Sequence, residues 1–208
     1  MNLIFDIGSN FGEFAKQCLV TYGFDTKILC VEANPYIVGN PNLVLTPNIT
    51  MINYAVAAED NMELDFYIND KAHVVSTVSR DWIEKSRFAE GGGWRAPIKV
   101  KTITLDSLIK RYGNPDYIKI DVEGYEYEVL RGLSQKSGLV AFEWSEELFN
   151  TSENCARKLQ SLGYTEFAYT QEDKYNIVPD NFTKWEESEI HKIIDRTQKI
   201  KWGMIYAK

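Results

Sequence analysis

Residues 3–14, Leu-Ile-Phe-Asp-Ile-Gly-Ser-Asn-Phe-Gly-Glu-Phe, constrain this chain more tightly than any other stretch. The apolar run Leu3, Ile4, Phe5 reads as a buried parallel strand. It passes through Asp6-Ile7-Gly8-Ser9-Asn10-Phe11-Gly12 into an amphipathic run over residues 13–22. That order is strand, glycine-bearing turn, helix. Gly8 and Gly12 allow a tight turn and let a ligand reach the helix N-terminus, where unpaired N–H groups and the positive dipole end favour polar or anionic groups. A second strand, residues 27–31, ends in Glu32, twenty residues beyond Gly12, the spacing expected of an acid that hydrogen-bonds ribose hydroxyls. The first part of the chain therefore predicts a nucleoside-binding βαβ unit.

The glycine pattern selects the nucleoside. A pyrophosphate-binding turn carries G-x-G-x-x-G, whereas this one reads D-I-G-S-N-F-G, with an acid at its head and one glycine near the bend. An acid there repels a diphosphate and accepts hydrogen bonds from a ligand ammonium group. The pattern argues against a dehydrogenase. The D-x-G-x-x-x-G order is similar to motif I of S-adenosylmethionine-dependent methyltransferases, whose methyl donor carries an amino-acid moiety and no phosphate.

At 208 residues, 44% hydrophobic and 25% charged, the chain has the size and composition of one globular domain. Its 23 basic and 30 acidic residues give a net charge of −7 with no lysine- or arginine-rich block. That disfavours nucleic acid as the main partner, because phosphate neutralisation needs clustered positive charge. Cys18, Cys30 and Cys155 show no metal-type spacing and are expected as buried, reduced thiols in a reducing compartment. With no long apolar stretch and no signal peptide to be read, the expectation is a soluble, cytoplasmic protein without a membrane span. The first strand begins within three residues of Met1, as expected of a domain excised from a longer polypeptide.

Further along, Ala33-Asn34-Pro35 forms a turn at the carboxyl end of strand two, where a ligand of an open α/β sheet sits, and Asn34 can cap a short irregular helix within residues 36–48. Residues 49–54 resume a strand that runs into Ala55-Val56-Ala57-Ala58, the expected third strand, with Asn53 to Val56 placed to cover an adenine ring. Residues 62–68 alternate as a half-buried antiparallel or edge strand does. Residues 71–96, with His73, Trp82, Trp94 and Gly91-Gly92-Gly93, read either as an acceptor pocket or lid or as a surface excursion. Residues 98–103 form a strand, and Thr104 caps the helix that follows.

Residues 117–120 make a central strand, and Asp121, Glu123 and Glu126 crowd its carboxyl end. A solvated helix start explains Glu123 and Glu126 through the dipole, whereas Asp121 ends a buried strand opposite the predicted nucleoside. Residues 139–144 form the fifth core strand, with Glu143 and Trp144 at its end. A helix over residues 154–163 with Leu159 and Leu162 inward comes next. Strands at 164–170 and 201–207 close the chain, separated by a helix over residues 185–197 in which His191 reads as a surface histidine.

V-E-A-N-P after strand two, N-Y-A-V-A after strand three, V-K-T-I-T-L-D-S-L and above all Y-I-K-I-D-V-E-G-Y-E-Y-E-V-L-R-G resemble the FkbM-type methyltransferase family over roughly residues 3–163. The resemblance implies a class I, Rossmann-like methyltransferase fold: a three-layer α/β sandwich around a seven-stranded, mostly parallel sheet with an antiparallel last strand. It also implies methyl transfer from S-adenosylmethionine to a hydroxyl oxygen, in members that act mostly on sugars, glycolipids, polysaccharides or polyketide-like small molecules, and the expected acceptor is a sugar or glycan. By resemblance and geometry, Asp6, Gly8, Ser9, Asn10 and Gly12 line the methionine end. Glu32 holds the ribose beside Ala33 and Asn34, and Asn53, Ala55 and Val56 border the adenine. Asp121 also stands against the cofactor, and Asp121 or Glu143 acts as base with Lys119 and Glu123 in support. His73, Trp82, Trp94 and Trp144 are candidates for stacking on an acceptor. Carboxylates near an acceptor diol could instead hold Mg²⁺ or Mn²⁺. Two other readings compete: methylation of an RNA cap or ribose, and a nucleoside-binding domain without catalysis. The acceptor and the oligomeric state stay open, since residues 71–96 and those beyond 163, expected to choose the acceptor, match the family less well.

Overall fold

Alternation along the first strand sets the layers of the molecule. In a computed structural model describing residues 1–43, 45–172, 178–185 and 202–208, β1 (Leu3–Ile7) turns Ile4 to one face and Phe5 to the other. Ile4 packs with Phe14, Cys18 and Leu19 of α1 (Glu13–Tyr22). Phe5 packs with the opposite layer, built from α4 (Leu105–Tyr112), α5 (Glu126–Arg131) and α6 (Phe149–Ser161). Each strand side chain alternates in this way, so a buried strand needs apolar residues at both parities.

β1 is central, flanked in parallel by β2 (Lys27–Glu32) and β7 (Tyr117–Ile120), with β3 (Ile49–Asn53) outside β2 and β8 (Leu139–Ser145) outside β7. β11 (Trp202–Ala207) inserts antiparallel between β8 and β9 (Glu166–Gln171). The seven expected strands are thus in place, and an eighth, the two-residue β10 (Thr183–Lys184), adds to the edge beside β9.

Ala55 and Val56 depart from expectation. They do not extend the third strand: Tyr54 N–H bonds to Glu32 O, the chain turns away, and β4 (Ala55–Val56) pairs with β6 (Ile98–Ile103). β6 also pairs antiparallel with β5 (Glu63–Phe66), so a separate three-stranded sheet carries the polar insertion.

Side-chain caps fix where the helices begin. Asn34 accepts from Tyr36 N at α2 (Pro35–Val38), Ser79 from Trp82 N at α3 (Arg80–Lys85), and Thr104 from Ser107 N at α4. Each cap contributes about 1 kcal/mol. α6 starts five residues earlier than position 154, burying Cys155 and Leu159 while Leu162 stays half-buried. All three cysteines are buried and free. Among the described residues no helix is long and apolar enough to cross a membrane. Apart from Trp185, the helix expected over residues 185–197, His191 included, lies outside the described residues.

Candidate active site

A cavity of about 440 Å³ opens at the carboxyl ends of β1, β2, β7 and β8, partly roofed by the insertion. Strand parity explains its polar face. Cys30, Asp6 and Lys119 are register partners in one row, and Glu32 and Glu143, each an even step along its own strand, share that face.

The turn after β1 is held from within. Gly8 N and Ser9 N bond to Val31 O (2.9 and 3.3 Å), Asn10 N to Glu32 Oε2 (2.8 Å), Phe11 N to Asn10 Oδ1 (2.9 Å) and Gly12 N to Ser9 O (2.8 Å). The N–H groups of residues 8–12 are therefore bonded within the protein, while Glu13 and Phe14 at the start of α1 line the cavity. Ser9 lines the cavity but is 4% exposed, and its buried hydroxyl is turned toward the Cys30 thiol. Gly8 has φ 76°, and a Cβ there would lie 1.8 Å from Asp121 O, so only glycine lets the turn after β7 pack against this one.

Glu32 lines the cavity at the end of β2. Its carboxylate accepts Asn34 N at Oε1 (2.7 Å) and Asn10 N at Oε2 (2.8 Å), and burial pushes its pKa up while those two amides oppose the shift. Gly8, Asn10, Ala33, Ala55 and Val56 also line the cavity, as do all four catalytic candidates, Lys119, Asp121, Glu123 and Glu143.

Four expected cofactor contacts do not line it. Asp6 is wholly buried on the α1 side, where Lys119 Nζ lies 3.4 Å from its Oδ1. Burial raises its pKa and Lys119 opposes the rise, so its partner is an internal cation and not a ligand ammonium. Gly12, at φ 75°, shapes the start of α1. Asn34 caps α2, and Asn53 donates from Nδ2 to Glu32 O and Ala33 O, so both act on the backbone around Glu32.

At the other end of the cavity, ligand-capable oxygens of Asp121, Glu123 and Glu143 all lie within 4.8 Å of one another. Lys119 Nζ stands 3.2 Å from Asp121 Oδ2 and donates to Gly8 O at 3.3 Å. Glu126, expected in a solvated helix start, is 3% exposed and turns inward: Oε1 accepts from Val122 N and Gly124 N at 3.1 Å each, and burial pushes its pKa up to about 7.

Beside these acids stand Tyr125, Phe88 and Trp202, none of which was singled out from sequence. Arg87 lies over Phe88 and Trp202, 5.1 and 5.5 Å from the ring centres, and Glu147 meets its charge at 3.0 Å. Of the expected stacking residues only His73 reaches the cavity, where Nδ1 is 3.2 Å from Asn10 Nδ2 and the ring stands edge-on to Phe11. Trp82 and Trp144 are buried in the interior, and Trp94 bridges to Asn69.

A β3-β2-β1-β7-β8-β11-β9 sheet with its antiparallel member next to last in space, and a crevice above the first two strands, is the class I methyltransferase architecture. Residues 6–165 match the methyltransferase FkbM domain, and the chain belongs to that family of S-adenosylmethionine-dependent methyltransferases. The fold is also similar to precorrin-6y C5,15-methyltransferase from Geobacter metallireducens, at 14% identity and TM-score 0.46 over 100% of this chain and 79% of that one. Fibrillarin from Aeropyrum pernix, with natively bound S-adenosylmethionine, matches at 14% identity and TM-score 0.48 over 100% of this chain and 66% of its own. Likenesses this distant carry no argument about acceptor or site. No curated protein matches the chain.

Proposed function

We propose that this domain transfers a methyl group from S-adenosylmethionine to a hydroxyl oxygen of a sugar or glycan. The observation that carries the reading is a single cavity in which the Gly8 turn and Glu32 continue into three clustered carboxylates flanked by aromatic side chains. Carboxylates accept from ring hydroxyls, and aromatic faces suit the apolar face of a sugar ring. Glu32 has lone pairs beyond those bonded to Asn10 and Asn34, free to accept from ribose hydroxyls. Bound S-adenosylmethionine supplies a methyl carbon on a positively charged sulfur. The Gly8 turn and Glu32 would hold that donor, and the cavity walls would orient the acceptor hydroxyl toward it. Asp121 or Glu143 would serve as the base that takes the proton of the acceptor hydroxyl. Lys119, in contact with Asp121, orients that carboxylate.

Asp121, Glu123 and Glu143 are also a hard-oxygen donor set of the kind that suits Mg²⁺ or Mn²⁺, which would polarise the hydroxyl. Full activity after chelation removes that version. The reading as a whole is tested by incubating the protein with labelled methyl donor and parallel panels of oligosaccharides and capped RNA. Label in a saccharide is expected. Label in RNA alone overturns the acceptor class, and cofactor binding with no transfer to any acceptor leaves a binding domain.

A further inference from the structure

Two consecutive residues after β7 are left-handed: Glu123 at φ 57° and Gly124 at φ 88°. For glycine this is ordinary, but glutamate adopts it at a cost and needs surroundings that impose it. The imposing groups are visible on both sides. From within α5, Glu126 Oε1 accepts the amides of Val122 and Gly124, the two neighbours of Glu123, at 3.1 Å each. From the insertion, buried Thr77 donates through Oγ1 to Glu123 O at 2.8 Å and lies 3.3 Å from Val122 O. Thr77 is itself fixed by paired backbone bonds with Tyr67 and by accepting Ser79 N at 2.8 Å. The turn so clamped carries Asp121 and Glu123, two of the three acids whose oxygens meet within 4.8 Å in the cavity.

We propose that Glu126 is the positioning residue of the acid cluster: it bonds the amides on either side of Glu123 and so holds that carboxylate against Asp121 and Glu143. This rests on reading the cavity as a methyl-transfer site. Glu126 does not line the cavity. Its role predicts an effect on turnover with little effect on cofactor binding, because the turn that holds the cofactor is bonded to Val31 and Glu32 and not to Glu126.

The test compares wild type, Glu126→Gln and Glu126→Ala in three measurements: amide hydrogen exchange of residues 121–125, calorimetric titration with S-adenosylmethionine, and methyl transfer to whichever saccharide the wild type accepts. Glutamine keeps an oxygen for both amides and is expected to retain protection and turnover to within about five-fold. Alanine is expected to speed exchange at Val122 and Gly124 at least about ten-fold and lower kcat about a hundred-fold, with the affinity for S-adenosylmethionine changed less than about three-fold. Wild-type exchange rates in Glu126→Ala overturn the proposal, and so does an equal loss of kcat in both variants. Should alanine prevent folding, Glu126→Gln alone decides: loss of protection or turnover there overturns it, and retention of both upholds it. If no saccharide is methylated, the proposed acceptor fails while the exchange data still decide what Glu126 does.

Discussion

At the end of the cavity formed by the Gly8 turn and β2, Glu32 is 7% exposed and both its oxygens are bonded to backbone amides, while Asp6 is buried against Lys119. At the end that carries the acid cluster, Asp121 and Glu123 are half-buried, Glu143 is buried at the cavity wall, and the neighbours that complete the wall are side chains from the insertion and the last strand. One end is a cradle whose shape the backbone dictates within some thirty residues. The other is assembled from four distant segments around a bunch of like charges. The difference sets an expectation under the proposed function: substitutions at the first end should act through folding and cofactor affinity, those at the second through rate and choice of acceptor.

The sharpest way to break this contrast is Asp121→Asn. Removing a proton acceptor at the reacting oxygen is expected to lower kcat by about 10²–10⁴ while thermal stability and S-adenosylmethionine affinity stay near wild type. Unchanged kcat would shift the base to Glu143. Next in size, Gly8→Ala places a Cβ 1.8 Å from Asp121 O in a left-handed turn. A stability loss of about 3 kcal/mol or more is expected in denaturant melts, with cofactor binding abolished. A loss under about 1 kcal/mol would show that the two turns are not locked together.

The third test uses pH. The folded pKa of Glu126 is raised from 4.5 to about 7 by burial, near Asp121 and Cys155, so between those values the folded state holds a proton that the unfolded chain has released. Stability from this group is complete below pH 4.5 and is lost as pH rises through 7, by about 3 kcal/mol. Glu126→Gln should flatten that slope in melts run from pH 5 to 8, and an unchanged slope would place its origin elsewhere. Glu32→Ala leaves two buried amides unbonded, for an expected loss of about 2 kcal/mol and at least about ten-fold weaker S-adenosylmethionine binding by calorimetry. Smallest is Trp202→Ala, expected to raise the acceptor KM about five-fold with cofactor affinity unchanged.

The cradle was readable from sequence because its parts are short-range: strand, turn, helix and the acid at the end of the next strand fall within residues 3–32, and backbone geometry dictates their relation. Asp6 was misread for a physical reason. Its position at the head of the turn is visible in the motif, but the face it takes depends on Lys119, more than a hundred residues away. Glu126 looked like an ordinary dipole-favoured helix start, and only its two bonds to the preceding turn reveal that it points inward. Trp202 carried a usable signal. An antiparallel strand begins where its parallel neighbours end, so the first residue of β11 was bound to stand beside Ser145 at the mouth of the crevice. Arg87 and Phe88 carried none, since an insertion's path over the sheet is set by tertiary contacts such as the bond from Arg87 to Glu147.

Lys119 sits between a wholly buried acid and one that lines the cavity, 3.4 Å from Asp6 and 3.2 Å from Asp121. A hidden counter-ion therefore decides how much of one ammonium's field is left for the exposed carboxylate. Exchanging Asp6 for asparagine would retune the reacting group without altering a single atom of the surface the substrates meet, a control knob mounted behind the panel.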